Sequence, residues 1–237
     1  MCTSIVSNRG KTLIGWNLDI LEMEYRITAT EHRVSIDIHD SGQWLPLFGA
    51  NSRGEFITMP TCWPYDSRSE PTGPDCPTIP QTNIDLLLGK TTLREVRRYL
   101  GEGRLYSLPG VTYQAQHSDR EGNVLQIVPG QGYTYQERPA FSVLTNFSPF
   151  KGNREQHPWM GWDRYQTAVK LLEEAGDRLD VPGCFGILQA TAQTACPTVV
   201  SMVFDPGEGA VYWCENRQWD RVTQHRLRPA PEPGRSV

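Results

Sequence analysis

Apolar and polar positions alternate with a period of two through much of the first sixty residues. In "YRITATEHRVSIDIH" the residues Ile27, Ala29, Val34, Ile36 and Ile38 follow that pattern, which predicts half-buried extended chain. "TSIVS" and "TLIGWNLD" read as two further strands. The four residues between them, Asn8-Arg9-Gly10-Lys11, have the chemistry of a hairpin turn. "EFITMPT" follows a second turn at Asn51-Ser52-Arg53-Gly54. Residues 63–80, "WPYDSRSEPTGPDCPTIP", interrupt the pattern with Pro, Ser and Gly and predict a long loop or lid.

The period then becomes helical. "TNIDLLLG" is a short helix stopped by Gly89. Thr92-Leu93-Arg94-Glu95 reads as a capping box, opening a helix that buries Leu93, Val96 and Leu100 and ends at Gly101. Strands resume in "GVTYQAQHSD", "VLQIVPG" and "FSVLTNFSPF", the first two joined by a turn at Arg120–Asn123. "DRYQTAVKLLEEAG" places Tyr165, Ala168, Val169, Leu172 and Ala175 on one helical face, with Asp163 and Gln166 expected to cap its start and Gly176 to end it. A second helix is predicted in "PGCFGILQATAQT" and a closing hairpin in "TVVSMVFDPGEGAVYWCENR". Strands and helices thus come in segregated blocks, which disfavours a doubly wound parallel sheet. The expected fold is α+β, a four-layer αββα sandwich of two mainly antiparallel sheets flanked by helices. It would form one domain over residues 2–227, followed by a disordered Pro-rich tail, 228–237.

Composition narrows the function classes. The 23 basic and 27 acidic residues give a formal charge of −4. The basic residues form no stripe suited to a phosphate backbone, so no nucleic-acid partner is expected. No apolar run approaches the roughly 20 residues of a membrane span. "TLIGWNL" is too short and interrupted for a secretory signal, so a cytoplasmic protein without a membrane partner is expected. The six cysteines form no C-x-x-C pair and have no His at ligand spacing. Neither a zinc site nor a disulfide framework is expected. Cys184, Cys196 and Cys214 have apolar neighbours and read as small buried hydrophobes.

Cys2 needs a different explanation, because it follows the initiator Met. Aminopeptidases remove Met before a small residue. Cys2 would then carry a thiol and a free α-amine, with ordinary pKa values of about 8.5 and about 8. The amine can take the thiol proton directly or through one water, so no His is needed. A hairpin from Thr3 to Leu18 returns Asp19 beside Cys2, where it could orient that amine.

At this point the sequence resembles the choloylglycine hydrolase family, N-terminal nucleophile (Ntn) hydrolases that include bile salt hydrolases and penicillin V acylases. "MCTSIV…LIGWNLDI" is similar to the family's nucleophile and "GRNLD"-like segment. "FGANSRGEF", "TTLREVRRYL", "HSDREGNVLQI", "VLTNFSPF" and "TVVSMVFDPGEGAVYW" resemble later segments in the same order, covering most of residues 2–216. The resemblance implies cleavage of a linear C–N amide bond of a small N-acyl substrate, through a thioester and without a cofactor. Cys2 would be the nucleophile, Asp19 would hold its amine, and the side-chain N–H of Asn146 would help stabilise the oxyanion. Arg217 is the nearest match to the family's Arg in the final hairpin, although it lies a few residues out of register.

The chain departs from the family at Trp16, where an Arg is usual, and at Thr61 and Cys62, where bile salt hydrolases carry a second Asn. Bile salts and penicillin V are therefore not expected as specific substrates. Trp16, Cys62, Trp63 and Tyr65 are candidate substrate-binding positions for an apolar acyl group. The chain is shorter than bile salt hydrolases and is expected to lack the loops that extend their tetramer contacts; a homo-oligomer remains an expectation. Acyl transfer through the same thioester, a non-catalytic ligand-binding role, and a dyad using His117 or His157 are the alternatives.

Overall fold

The computed structural model describes residues 1–63, 67–150 and 160–229. β1 (Cys2–Ser7) and β2 (Leu13–Asp19) form the predicted hairpin, antiparallel and in register from Cys2 opposite Leu18 to Ser7 opposite Leu13. They lie second and third in a six-stranded sheet. β10 (Phe141–Leu144) pairs with the free side of β1. β11 (Thr198–Asp205), β12 (Ala210–Glu215) and β13 (Thr223–Arg226) continue from β2. The second sheet follows chain order: β3 (Tyr25–Ala29), β4 (Arg33–Asp40), β5 (Gln43–Asn51), β6 (Phe56–Thr58), β7 (Ala115–Ser118), β8 (Val124–Val128) and β9 (Gly132–Gln136). Every described pairing in both sheets is antiparallel.

Among the described residues, four α-helices complete the layers. α1 (Ile79–Leu87) packs on β5 and β6, and α2 (Leu93–Gly101) adds Leu93 and Val96 to the same core. α3 (Trp162–Ala175) and α4 (Val181–Ala190) cover the other sheet. Between the sheets, Trp16 meets Phe48 at a ring separation of 4.6 Å and Phe56 meets Phe204 at 6.1 Å. A polar seam crosses the same interface: Thr58 and Gln116 both donate to Ser4 Oγ, and Gln126 reaches Gln116 and Ser142. Because each of these groups has a partner, the seam fixes how the sheets face each other without leaving buried polar atoms unmatched. The αββα architecture expected from the order of elements is therefore present.

Local signals held where they were self-contained. The Thr92–Glu95 capping box is formed in both directions. α1 begins earlier than the "TNIDLLLG" stretch, because Thr78 caps it and Pro80 suits its first turn. Asp163 and Gln166 do not cap α3. Its N-cap is Gly161, at φ +79°, without a side-chain cap. Three strands escaped the pattern. β5 contains Pro46, tolerated because the β4–β5 register shifts between Ile36 and Asp37, beside the proline. β9 and β13 are edge strands with little buried surface, so they lack a continuous apolar face. In the 63–80 segment, residues 64–66 lie outside the described residues, α1 occupies the end, and no strand or helix fills 67–77. Of the C-terminal tail, 230–237 also lie outside them.

Candidate active site

Side chains alternate across a strand, so the register of β1 and β2 decides what Cys2 can meet. Cys2 lies opposite Leu18, and both side chains join Val6, Ile14 and Trp16 in the core between the sheets. Asp19 comes one residue later and points to the other face, toward α3 and the segment after α4. There Thr198 donates its hydroxyl to Asp19 Oδ1 at 2.6 Å and Gln193 donates to Oδ2. Asn17, on that same face, ties β2 to the end of α4. Its Nδ2 donates to Leu188 O at 2.8 Å, and its Oδ1 accepts from Ser201. The hairpin thus puts a thiol on one side of the sheet and a carboxylate on the other. The backbone nitrogen of Cys2 has its own partner.

That nitrogen donates to Asn146 Oδ1 at 2.9 Å. Asn146 lies two residues beyond the end of β10, and the β1–β10 pairing carries it to the start of β1. Its amide is oriented from both ends. Nδ2 donates to Thr61 O at 2.7 Å and reaches Thr61 Oγ1 at 3.2 Å. Oδ1 also accepts from Arg164 at 2.8 Å. Arg164 further donates to Cys2 O at 2.6 Å and to Thr3 Oγ1 at 2.9 Å, and lies 3.9 Å from Asp19 Oδ2. It is only 5% exposed. Gly161 makes this possible, because a Cβ there would collide with the Arg164 guanidinium.

Met1 is present in this chain. Its amine donates to the backbone oxygen of Asp19 at 2.5 Å and lies 3.8 Å from Cys196 Sγ. Burial pushes the Cys2 thiol up to about 11, against the lowering effect of the nearby N-terminal charge. Burial also pushes Asp19 up to about 6, even though Thr198, Arg164, the N-terminal charge and Gln193 all favour its ionised form. A thiol raised this far is a poor nucleophile unless a base beside it takes the proton.

The other sequence-predicted residues divide. Cys62 and Trp63 lie on the strip that supports Asn146: Trp63 N donates to Asn146 O at 2.7 Å, and Cys62 N donates to Thr112 O. Trp16 shares the Cys2 face of β2 but is 0% exposed, packed on Phe48. In this position it is core, with no surface open to a solvent-filled pocket. Tyr65 and His157 lie outside the described residues. Arg217 is exposed in the turn after β12, in a left-handed conformation at φ +60°. Among the described contacts none joins it to the Cys2 cluster; the cation found there is Arg164. His117, held by Asn83, is a buried residue on the opposite sheet.

Sequence reasoning missed Arg164, Gln193 and Thr198. One signal was available for Arg164. A cation in the first turn of a helix is opposed by the helix dipole, so an Arg at that place on α3 needed a local anionic or acceptor partner. Among the described residues, no three His, Cys, Asp or Glu side chains are grouped to hold a metal ion.

The chain is thus an αββα sandwich with a Cys at the head of β1 in the six-stranded sheet. No family model matches the sequence, and no curated protein sequence matches it. Solved structures do. The chain is similar to the C2A mutant of conjugated bile acid hydrolase from Clostridium perfringens, with a TM-score of 0.68 and 13% identity, over 100% of this chain and 95% of that one. It is similar to penicillin V acylase from Agrobacterium tumefaciens, with a TM-score of 0.60 and 12% identity, over 91% and 83%. It is also similar to the Caenorhabditis elegans ortholog of N-acylethanolamine-hydrolyzing acid amidase, with a TM-score of 0.50 and 19% identity, over 87% and 93%. At these identities the likeness establishes a shared fold.

Proposed function

We propose that this protein, once Met1 is removed, is a cysteine amidohydrolase that cleaves a linear amide bond of an N-acyl small molecule. The observation that carries this reading is the Cys2 nitrogen, held at 2.9 Å by Asn146 Oδ1 at the head of a buried strand. After Met1 leaves, that nitrogen is an α-amine on the same residue as the thiol. It is the base nearest to a thiol that burial keeps protonated. Asp19 points to the face opposite the thiol with its oxygens engaged by Thr198 and Gln193, and the direct partner of the Cys2 nitrogen is Asn146 Oδ1. The fold shared with a conjugated bile acid hydrolase, a penicillin V acylase and an N-acylethanolamine-hydrolyzing amidase supports the reaction class.

In this mechanism the amine accepts the thiol proton and the thiolate attacks the amide carbonyl. The tetrahedral oxyanion collapses as the protonated amine gives its proton to the leaving nitrogen. Water then attacks the thioester, losing its proton to the same amine. Asn146 contributes twice. Oδ1 holds the amine. Nδ2 donates to Thr61 O at 2.7 Å and contacts Thr61 Oγ1 at 3.2 Å, and in this mechanism it exchanges the longer contact for the oxyanion.

The test is mass spectrometry of the purified protein incubated with a panel of N-acyl amides. The reading requires loss of Met1, an acyl adduct that maps to Cys2, and turnover that Cys2→Ala abolishes. Asn146→Ala should reduce kcat by about 10²–10³, the typical cost of one oxyanion donor. Product analysis with an added amine separates hydrolysis from acyl transfer. Retained Met1 in normally processed protein would rule the mechanism out.

A further inference from the structure

We infer that Trp16 and Gln114 are specificity-determining residues that select an acyl group carrying its own hydrogen-bonding group, a hydroxyl or a secondary amide, over a plain hydrocarbon chain. The inference deepens the amidohydrolase reading and rests on it. Both side chains are 0% exposed, and among the described residues neither Trp16 Nε1 nor Gln114 Oε1 has a hydrogen-bond partner. The first is a donor and the second an acceptor. The Gln114 amide is fixed in its orientation, because its Nε2 donates to Thr145 O at 2.7 Å. Turned over, it would set two carbonyl oxygens against each other.

Register brings both groups to the thiol's side of the sheet. Gln116 reaches across to Ser4 Oγ at 2.9 Å, so it faces the layer between the sheets. Gln114 lies two residues earlier and continues that face. Its own N–H donates to Pro60 O at 3.0 Å, and its bond to Thr145 sets it at the end of β10. Trp16 lies opposite Ser4 on β2, one step diagonally from Cys2 and on the same face. An aromatic side chain can span such a diagonal. β10 and β2 flank β1, so the acceptor stands on one side of the nucleophile's strand and the donor on the other. Cys2 is itself only 3% exposed. An acyl group bonded to its sulfur is therefore enclosed on this face. Leaving a buried donor and acceptor unmatched destabilises the free protein. Phe at position 16 would pack on Phe48 without that cost, so packing alone does not account for the indole. A hydroxyl, or the C=O and N–H of an amide, supplies both missing partners; a hydrocarbon chain leaves both groups dry and unpaired. The indole ring alone would suit an apolar acyl group. Its N–H and the Gln114 oxygen reverse that preference.

The experiment uses full-length chains released to begin at residue 2 by site-specific cleavage of an N-terminal fusion, so it does not depend on natural Met removal. The probes are the hexanoyl, 3-hydroxyhexanoyl and N-acetylglycyl amides of one aromatic amine. They are compared as substrates of the wild type and, by calorimetry, as ligands of Cys2→Ala. Both polar acyl groups should exceed hexanoyl by about tenfold, in kcat/KM and in affinity. Trp16→Phe and Gln114→Met, each checked for an intact fold by circular dichroism, should bring that ratio toward one. Hexanoyl binding Cys2→Ala as well as the polar groups do overturns the inference, whatever the turnover, and so does the absence of binding by all three. This comparison depends on neither position 16 nor position 114 being replaced. A folded Trp16→Phe or Gln114→Met that keeps the full wild-type ratio also overturns it. Failure of the hydrolase reading would show separately, as selective binding to Cys2→Ala with neither turnover nor an acyl adduct in the wild type.

Discussion

At Asp19, burial and hydrogen bonding pull in opposite directions, and burial wins. The carboxyl is 0% exposed and its pKa rises to about 6 in spite of two side-chain donors and a nearby guanidinium. The folded state therefore binds this proton more tightly than the unfolded chain, where 3.8 is the reference value. The associated stability is complete below about pH 4 and is lost as pH rises through about 6; a shift of about two units corresponds to about 3 kcal/mol. Urea unfolding of the wild type and Asp19→Asn between pH 4 and 7 should show the variant gaining on the wild type by roughly that amount. A pH-independent difference would contradict the assignment. Cysteine reactivity should also follow environment. Cys76 alone among the six cysteines is not buried, and the hydroxyl of Thr72 lowers its pKa, while burial raises Cys2, Cys184 and Cys214. A small alkylating reagent should modify Cys76 first in protein that retains Met1, and peptide mapping over time would show it.

At the scale of the element, β2 determines the site because it is fixed on both edges and on one face. β1 and β11 flank it, and Asn17 binds it to the end of α4. Asn17→Ala would leave Leu188 O and the Ser201 hydroxyl without that buried partner. The expected cost is about 1–3 kcal/mol by chemical denaturation, together with lower activity, because Asp19 follows two residues later. α2 is a contrasting case. Its capping box is local, so Thr92→Ala should cost about 1 kcal/mol and leave turnover unchanged. Activity loss in that variant, with the fold intact, would show that α2 is coupled to the site.

The molecule as a whole interleaves its layers. The chain builds β1 and β2, leaves for all seven strands of the second sheet, and returns with β10 to pair with β1. Asn146 can meet Cys2 only after that circuit closes. The core between the sheets draws on both sheets and on α1 and α2. Near-UV and far-UV circular dichroism should therefore lose signal in one coincident denaturant transition. Separate midpoints would mean that one sheet survives without the other. Folding should be slow for the chain's size, because the pairings that complete the six-stranded sheet are non-local.

Much of this was legible along the chain. Period-two patterning, the turn at Asn8–Lys11 and the capping box depend on residues a few positions apart, and these features formed as the local chemistry requires. The same hairpin returns the chain to the start of β1, with Cys2 opposite Leu18 and Asp19 one residue further on. β5 was hidden because a proline is tolerated only where a neighbouring strand supplies a register shift. Arg164 was hidden because its partners, Cys2, Thr3, Asp19 and Asn146, come from other parts of the chain. The sequence by itself determined most of the strands, the helices and a Cys at the head of the first hairpin. Only the tertiary structure decided which face of the sheet each side chain takes, which way the Asn146 amide points, and which cation reaches Cys2. Those depend on packing between elements far apart in sequence, where periodicity carries no information.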